Sequence, residues 1–574
     1  SKLIFGIDRN QCVMTSLDPD NEVRIIDAII DSLDLRKLGF YFPPTIIGRP
    51  AYSPYDLLKL YYYGYKNKIR SSRKLMKLTS TNIEVIWLLR GLNPDFRSIS
   101  DFRINNGDAI KEAFKELNRI YRFWNLLPLD ERSQDGVKIR AVNSKDRNFT
   151  YNKLDDRIKR LNSHIDEYLE ALKKEDALEE EIEQLNQQLE QAKETLKMFE
   201  TYKKILMDSG NSQLSLTDPD CKLMLSNGAY FPAYNVQASV ASTHLVGGFS
   251  VSNHPADTDS LLSTTSKIKE DHDIDIVSVG TDKGYFDRID MMNCLLNGII
   301  PNVTLPRNQK EFLLETTYIP NVVSNEEKDS LKSEMLSKCL HAGIIPTAYK
   351  DSITHIEIVE KKEAVEGDEI PFTPDDLRDF AMKNRCFTRD ISTNTVYCPA
   401  GEILRVKSQS KTEDKIHFAN KLACKNCKHK CTSCPFKRVT FKKNQTISIP
   451  KDSPLTITRD NKTRKYQMVK KVYIHFIPNK KQITERMGLS EHPHGSMKRN
   501  DDASYFLLKG LNKVEIETAL YYSAFNLRRV IKILGVPRIL ELLKASPGSF
   551  IHSLIKRLLL SKQSLFFFRT VSPP

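Results

Sequence analysis

The chain has 574 residues, 40% hydrophobic and 28% charged. That composition suits a soluble globular protein too long for one ordinary core, and predicts two to four domains or one domain with large insertions. The absence of an unbroken apolar run of about 18 residues, and of a charged-then-apolar leader, argues against a membrane span or signal peptide and for the cytoplasm. Lys and Arg outnumber Asp and Glu by 87 to 73, a formal charge of +14 that favours a polyanionic partner. Ten cysteines in so long a chain, four of them crowded together, do not resemble a secreted disulfide framework.

From Asn21 to about Arg122 the pattern predicts several short helices. Val23, Ile25, Ile26, Ile29 and Ile30 fall at helical spacings, and Ser53-Pro54 sets a capping hydroxyl before a first-turn proline at the start of DLLKLYYYGY. Arg70, Arg73, Lys74, Lys77, Arg97 and Arg103 lie on this segment. A domain over 1–125 could therefore be a helix-turn-helix that places one helix in a major groove. A plain bundle with a solvated basic face fits equally well.

In DGVKIRAV, Asp135 has the parity of Val137, Ile139 and Ala141, so a strand within 126–150 would put all four on one face. Over 151–209, Leu178, Ile182, Leu185, Leu189, Ala192, Leu196 and Phe199 recur at alternating spacings of four and three. This is a coiled-coil seam, either an antiparallel hairpin broken near Lys173 to Asp176 or a dimer contact, and it reads as an insertion.

The segment 210–306 alternates strand and helix. YNVQASV and HLVGGFSVS predict a hairpin, HPADTDSLLSTTSKI a capped helix, IDIVSVG a buried strand ending at Asp282, FDRIDMMNCLLNG a helix and IIPNVTLP a strand. Such alternation predicts an α/β sheet, whose reactive groups collect at the carboxyl ends of its strands.

Residues 307–480 break that rhythm and carry Cys424-x2-Cys427-x3-Cys431-x2-Cys434. Four thiols so close together in a reducing compartment point to a structural metal, with zinc first because thiolates bind it tetrahedrally. The three-residue gap is shorter than the usual spacing of zinc-ribbon knuckles. One cluster cysteine can therefore be idle, with Cys398 or His429 completing the site; an iron–sulfur cluster and free thiols are the alternatives. Lys421, Lys425, Lys428, Lys430, Lys437 and Arg438 surround the cluster and suit a phosphate backbone.

From Ile483 the chain is again helical. Glu491 and Lys498 are seven residues, about two turns, apart and so project from one side of a helix, with Pro493 and Gly495 between them. NKVEIETALYYSAFNLRRVIKIL predicts a long amphipathic helix that closes a segment 481–535, and 536–574 forms a helical tail. Each of Asp135, Asp282 and Glu491 alone reads as an ordinary turn or cap residue. Together, three carboxylates could hold two Mg²⁺ ions about 3.5–4 Å apart and neutralise a phosphodiester under attack.

With those residues laid out, the sequence resembles bacterial insertion-sequence transposases of the DDE class, in the branch with an InsH-like N-terminal domain. The resemblance rests on RNQ at Arg9 to Gln11, VRIIDAIIDSLDLRKLGF, SPYDLLKLYYYGY, DGVKIRAVNSK, LTDPD, YNVQ, TDKGY, CPAG, EHPHGSMKR and the terminal FNLRR, in that order. It implies a ribonuclease H-like core, with Asp135 on its first strand, Asp282 after its fourth and Glu491 on a later helix. An N-terminal all-α DNA-binding domain, a coiled-coil insertion and a β-rich cysteine-containing insertion over 307–480 accompany that core. Of the related signature Tyr-x2-Arg-x3-Glu-x6-Lys, Glu491 and Lys498 are in register. Arg486 stands one residue too far away, the Tyr is missing, and His494 occupies a position where relatives commonly have Phe.

The resemblance further implies cut-and-paste transposition. Two Mg²⁺ (or Mn²⁺) ions would be held by Asp135, Asp282 and Glu491, with Lys498 neutralising a phosphate oxygen and Arg486 contacting a phosphate or strand end. Partners would be double-stranded DNA, both terminal inverted repeats and target, and a second copy of the chain, with no membrane. The location would be the bacterial cytoplasm at the nucleoid. A domesticated, non-catalytic transposase-derived regulator is the alternative, and a coiled-coil and zinc scaffold a weaker one that leaves DGVKIRAV, TDKGY and the Glu-x6-Lys pair without a role.

Overall fold

The computed structural model describes residues 17–43, 51–128, 130–171, 179–226, 228–306, 309–365, 374–409, 414–429, 431–432, 434, 436–450, 455–457, 463–500 and 503–545. It is a mixed α/β protein built around a central sheet. The N-terminal segment forms α1 (Val23–Asp31), α2 (Pro54–Lys66), α3 (Ser72–Thr81), α4 (Ile83–Leu88), α5 (Phe96–Asn105) and α6 (Gly107–Phe123). Helix α1 buries the five apolar residues that its spacing predicted. Ser53 caps α2 by accepting the Tyr55 amide, with Pro54 at the first turn. Helix α2 is buried almost all round, and its Lys59 is paired with Asp27 at 2.6 Å and Asp31 at 2.7 Å.

The central sheet contains β1 (Glu131–Arg140), β2 (Ala229–Ala241), β3 (Val246–Ser252), β4 (Val277–Thr281) and β5 (Ile299–Val303). Their order is β3-β2-β1-β4-β5, and a short strand, Lys222–Ser226, also pairs with β2. Strand β2 runs antiparallel to β1, with Asp135 opposite Ala238, and β3 runs antiparallel to β2. The β1–β4 and β4–β5 pairs are parallel. Parallel neighbours need crossovers; here α9 (Ser260–His272) precedes β4 and α10 (Arg288–Leu296) joins β4 to β5.

Strand β1 begins before the apolar run, and its polar residues Arg132, Ser133 and Gln134 are buried. Their positions are specified by distant hydrogen bonds. The Gln482 amide donates to the Arg132 carbonyl (3.0 Å), Ser133 Oγ to the Arg486 carbonyl (3.2 Å), and Gln134 Nε2 to the Ser260 carbonyl (3.2 Å).

Two helices, α7 (Tyr151–Ala171) and α8 (Glu179–Ser209), interrupt the sheet between β1 and β2 and pack on each other through Leu154, Phe199 and Leu206. Within the expected seam Leu189, Ala192 and Phe199 are buried, whereas Ile182 is exposed. The expected break at Lys173 to Asp176 lies outside the described residues.

The region expected as a single insertion contains two packing units. Strands β6 (Phe312–Thr317), β7 (Ile353–Val365) and β8 (Thr463–Phe476) form an antiparallel sheet whose Phe312, Val472, Ile474 and Phe476 share a core with Val277, Val279 and Ile299 of the central sheet. A second, six-stranded antiparallel sheet within 387–448 has its own core of Phe387, Val396, Leu404, Ile416, Phe418, Val439 and Phe441. The short helices α11 (Asn325–Asp329) and α12 (Ser333–His341) flank the first unit; α13 (Pro374–Asn384) and α14 (Lys421–Lys425) flank the second.

Helix α15 (Lys480–Gly495) lies across β1, β4 and β5. Asn479 caps it by accepting the Lys481 and Gln482 amides, and the helix runs through Pro493 to Gly495 before a π turn at Ser496–Asn500. Helix α16 (Leu511–Leu534) follows, then α17 (Val536–Ala545). The expected boundary near residue 125 is not a break in packing. Residues of α1–α6, the β1–β2 pair and α16 form one continuous apolar core. Asn526 of α16 seals the junction, donating to Asn118 Oδ1 (3.0 Å) and to the Val246 carbonyl (2.9 Å) while accepting the Val246 amide (2.8 Å).

Candidate active site

Two carboxylates meet at the sheet. Asp135 lies within β1 and its Oδ1 accepts the Gly136 amide at 2.8 Å. A side chain at Gly136 would bring a Cβ within 2.4 Å of Gln237 Nε2 and 2.7 Å of Asp257 Oδ1, so the Asp-Gly step is set by close approach. Asp282 directly follows β4, where its side chain caps the turn Lys283–Tyr285 by accepting the Gly284 amide at 2.8 Å.

Both acids are held above the usual carboxylate range, chiefly by burial. The Asp135 charge pushes Asp282 up further, Asp257 acts on both in the same sense, and the Arg486 guanidinium opposes the rise at each. That field places Asp135, Asp282, Asp257 and Arg486 around one site, because such effects fade over a few ångströms.

Helix α15 supplies the other wall. Gln482 docks it on three strands, donating to the carbonyls of Arg132 and Ser278 and accepting from Ser278 Oγ (2.7 Å) and Asn302 Nδ2 (2.6 Å). Four and eight residues on, Arg486 and Ser490 share the sheet-facing side. Ser490 Oγ donates to Asp135 Oδ2 at 3.4 Å, and His494 Nε2 lies 3.1 Å from the Asp135 carbonyl. Burial pushes His494 down to about 4, so the ring is neutral near pH 7. Lys498 is lowered by burial and by Lys138, while Asp135 opposes that shift.

Asp135, Asp282, Arg486 and Lys498 are therefore brought together, and Glu491 is placed differently. It follows Ser490 on α15 with its side chain exposed to solvent. Among the described residues, no group of three or more His, Cys, Asp or Glu side chains is drawn together tightly enough to hold a metal ion.

The sequence reading missed Asp257 and Lys138. Both carboxylate oxygens of Asp257 take the Lys138 ammonium at 2.9 Å, and Oδ1 also accepts from Asn235 and Gln237 at 2.8 Å. Tyr285, after TDKG, donates to Gln237. The only signal for Asp257 was its acidic HPADTD context, which reads first as a helix cap.

Two of the expected DNA-contacting cations need correction. Arg70 is 7% exposed and donates to Glu517 at 3.0 Å and to the Tyr505 carbonyl at 2.7 Å. Arg103, 4% exposed, lies against the Tyr61 ring and the Tyr65 hydroxyl. Arg70 ties the helical segment to α16, Arg103 is held against the tyrosines of α2, and both are withdrawn from any phosphate surface. Arg73, Lys74 and Arg97 are exposed, with Arg73 and Arg97 both over the Phe96 ring.

In the six-stranded unit, Cys398, Cys424, Cys427 and Cys431 line one cavity of about 330 Å³ with Glu402 and Lys437. Burial, followed by the charges of Cys398 and Cys427, pushes the Cys431 thiol up to about 11. Cys434 is not part of that lining, and main-chain donors at Arg438 and Phe436 lower it.

The protein is thus a mixed α/β fold with paired carboxylates beside cationic side chains. Residues 11–105 match the family model described as a transposase domain (DUF772), and residues 397–531 match the one described as a transposase DDE domain. These two matches, which together span less than half of the chain, indicate an insertion-sequence transposase of the DDE type. Asp135 and Asp282 fall between the matched segments, whereas Glu491 and Lys498 fall within the second. No curated protein and no solved structure matches the chain. Among the described residues, no helix is long and apolar enough to cross a membrane.

Proposed function

We propose that the chain cleaves DNA at transposon terminal inverted repeats and joins the resulting 3′-hydroxyl ends to target DNA. The observation that carries this reading is the pairing of Asp135 and Asp282, from adjacent strands, within the field of Arg486 and Lys498. The strand order 3-2-1-4-5, with β2 running against the other four strands, supports a ribonuclease H-like core for that chemistry.

Two half-buried carboxylates that repel one another are suited to a hard divalent cation, which prefers oxygen donors. Asp135 and Asp282 would hold Mg²⁺ or Mn²⁺, with exposed Glu491 completing the set from α15; the metal would supply charge neutralisation at the scissile phosphate. In the first step, a water oxygen bonds to phosphorus as the bond to the 3′-oxygen breaks, leaving a 3′-hydroxyl and a 5′-phosphate. In the second, that 3′-hydroxyl attacks a target phosphodiester and displaces the target's 3′-oxygen, so one phosphodiester replaces another.

The protein's own groups act by placement. Lys498 offers an ammonium to a non-bridging oxygen, and Arg486 a planar fork suited to a phosphate. Ser490 and His494 hold Asp135 in position, while Asp257 neutralises Lys138 and orients Gln237. Arg73, Lys74 and Arg97 would bind DNA through the N-terminal helices. The thiols of Cys398, Cys424, Cys427 and Cys431 share one cavity without converging on a point, so holding a structural zinc would require them to draw together around it; a homodimer would synapse two ends.

The test is strand transfer. Purified protein is incubated with Mg²⁺, a supercoiled plasmid and labelled DNA ending in the gene's flanking repeats. Label covalently joined to plasmid by the parent and not by Asp135→Asn supports the reading; equal transfer by both overturns it. Binding without any transfer would instead favour the non-catalytic regulator.

A further inference from the structure

Two motifs, the His of EHPHG and the second Arg of FNLRR, have no part in the chemistry above, and the fold puts them together. His492 follows Glu491 on α15; its ring lies 5.2 Å from that of His244 and 5.7 Å from that of Phe525 on α16. His244 occupies the turn between β2 and β3 in a left-handed conformation (φ 65°), with a buried Nδ1 that makes no hydrogen bond. Arg529 reaches the same turn from α16, donating Nε to the Thr243 carbonyl at 3.1 Å. Its neighbour Arg528 points the other way, donating to the carbonyls of Tyr65 and Lys66.

Arg529 brings a guanidinium to the turn that holds His244, and Lys532, three residues on along α16, lies on the same side of that helix and is exposed. Among the described residues, neither cation forms an ion pair with a carboxylate. Cations gathered without a counter-ion repel one another, and a bound anion relieves that cost. Neutral imidazoles add N–H donors of the kind that position a phosphate without reading sequence.

We propose that His244, His492, Arg529 and Lys532 form a phosphate-binding subsite that holds the DNA backbone beside the carboxylate pair. The subsite rests on the transposase reading and extends it: α15 carries His492 next to Glu491, so a backbone held here would run alongside the helix that bears the third carboxylate.

The test measures binding of a short fluorescein-labelled DNA duplex to the full chain by anisotropy over a series of salt concentrations. Arg529→Gln and Lys532→Gln should each weaken binding about threefold to tenfold and lower the salt slope by about one phosphate contact. His244→Gln with His492→Gln should weaken binding with the slope retained. Lys338→Gln, remote in the β-rich region and paired with Glu327, should bind as the parent does. Lys532 is exposed, so its variant tests the subsite even if Arg529→Gln fails to fold. A parent-like slope in Lys532→Gln, with the parent binding well, overturns the subsite alone. Failure of the parent to bind any duplex overturns the transposase reading with it.

Discussion

His494 Nε2 lies 3.1 Å from the main-chain oxygen of Asp135. A carbonyl can only accept, so Nε2 carries the proton, and the buried, unpartnered Nδ1 carries the lone pair. The contact ties the helix bearing Glu491, and the π turn after it that bears Lys498, to the strand bearing the first acid. Replacing His494 by Ala should leave that carbonyl unsatisfied and cost about 1–3 kcal/mol. His494→Gln, which retains a donor, should recover most of the loss. Urea denaturation of the two variants measures the difference, and DNA cleavage should fall in the same order.

His272 sets a pH dependence away from the site. Its Nε2 lies 3.1 Å from the Gly247 carbonyl, and burial, with Arg132 next, depresses the ring to about 3. The unfolded chain takes up that proton near pH 6.5 and the folded chain does not. Stability is therefore complete above about pH 6.5 and falls as pH drops toward 3. Urea midpoints between pH 7 and pH 4 should decline less steeply for His272→Gln than for the parent.

Arginines of the helical segment should separate into two kinds. Glu517→Gln strands the charge of buried Arg70 and should destabilise the fold by about 3–5 kcal/mol, whereas Arg70→Met combined with Glu517→Leu should restore much of that loss. A urea double-mutant cycle measures the coupling. Arg73→Gln, Lys74→Gln and Arg97→Gln should leave the urea midpoint unchanged and each lower the salt slope of DNA binding by about one contact.

The cysteines offer a discriminating pair. If the cavity thiols hold zinc, Cys398→Ser should lose the metal and Cys434→Ser should keep it, because Cys398 lines the cavity and Cys434 does not. Elemental analysis of purified variants reads the stoichiometry directly. Loss in Cys434→Ser with retention in Cys398→Ser would return the ligand set to the four clustered cysteines.

What was legible in the sequence follows from how local each signal was. Asp282 could be read because an apolar run, IVSVG, ends just before it. The start of β1 could not: Arg132, Ser133 and Gln134 look like loop residues, and the side-chain hydrogen bonds that fix them reach partners 103 to 353 positions away. Arg70 was misread for the same reason. A cation on a helix has one appearance in sequence whether it meets water or, as here, Glu517 447 positions on. Asp257 was hidden because a carboxylate before a helix is usually a cap, and only the fold sets Lys138 beside it. Cys398 was visible as a candidate in YCPAG, while its place in the cavity lining, where Cys434 has none, depended on which strands met.

The account stands or falls on the carboxylate pair. The decisive measurement is the single-turnover rate of Mg²⁺-dependent cleavage of DNA carrying the gene's own flanking repeats, for the parent and for Asp282→Asn of matched stability. The account predicts 3′-hydroxyl ends at the repeat boundary for the parent and a rate at least about 10³-fold lower for the variant, equivalent to about 4 kcal/mol of transition-state stabilisation. Equal rates would contradict it.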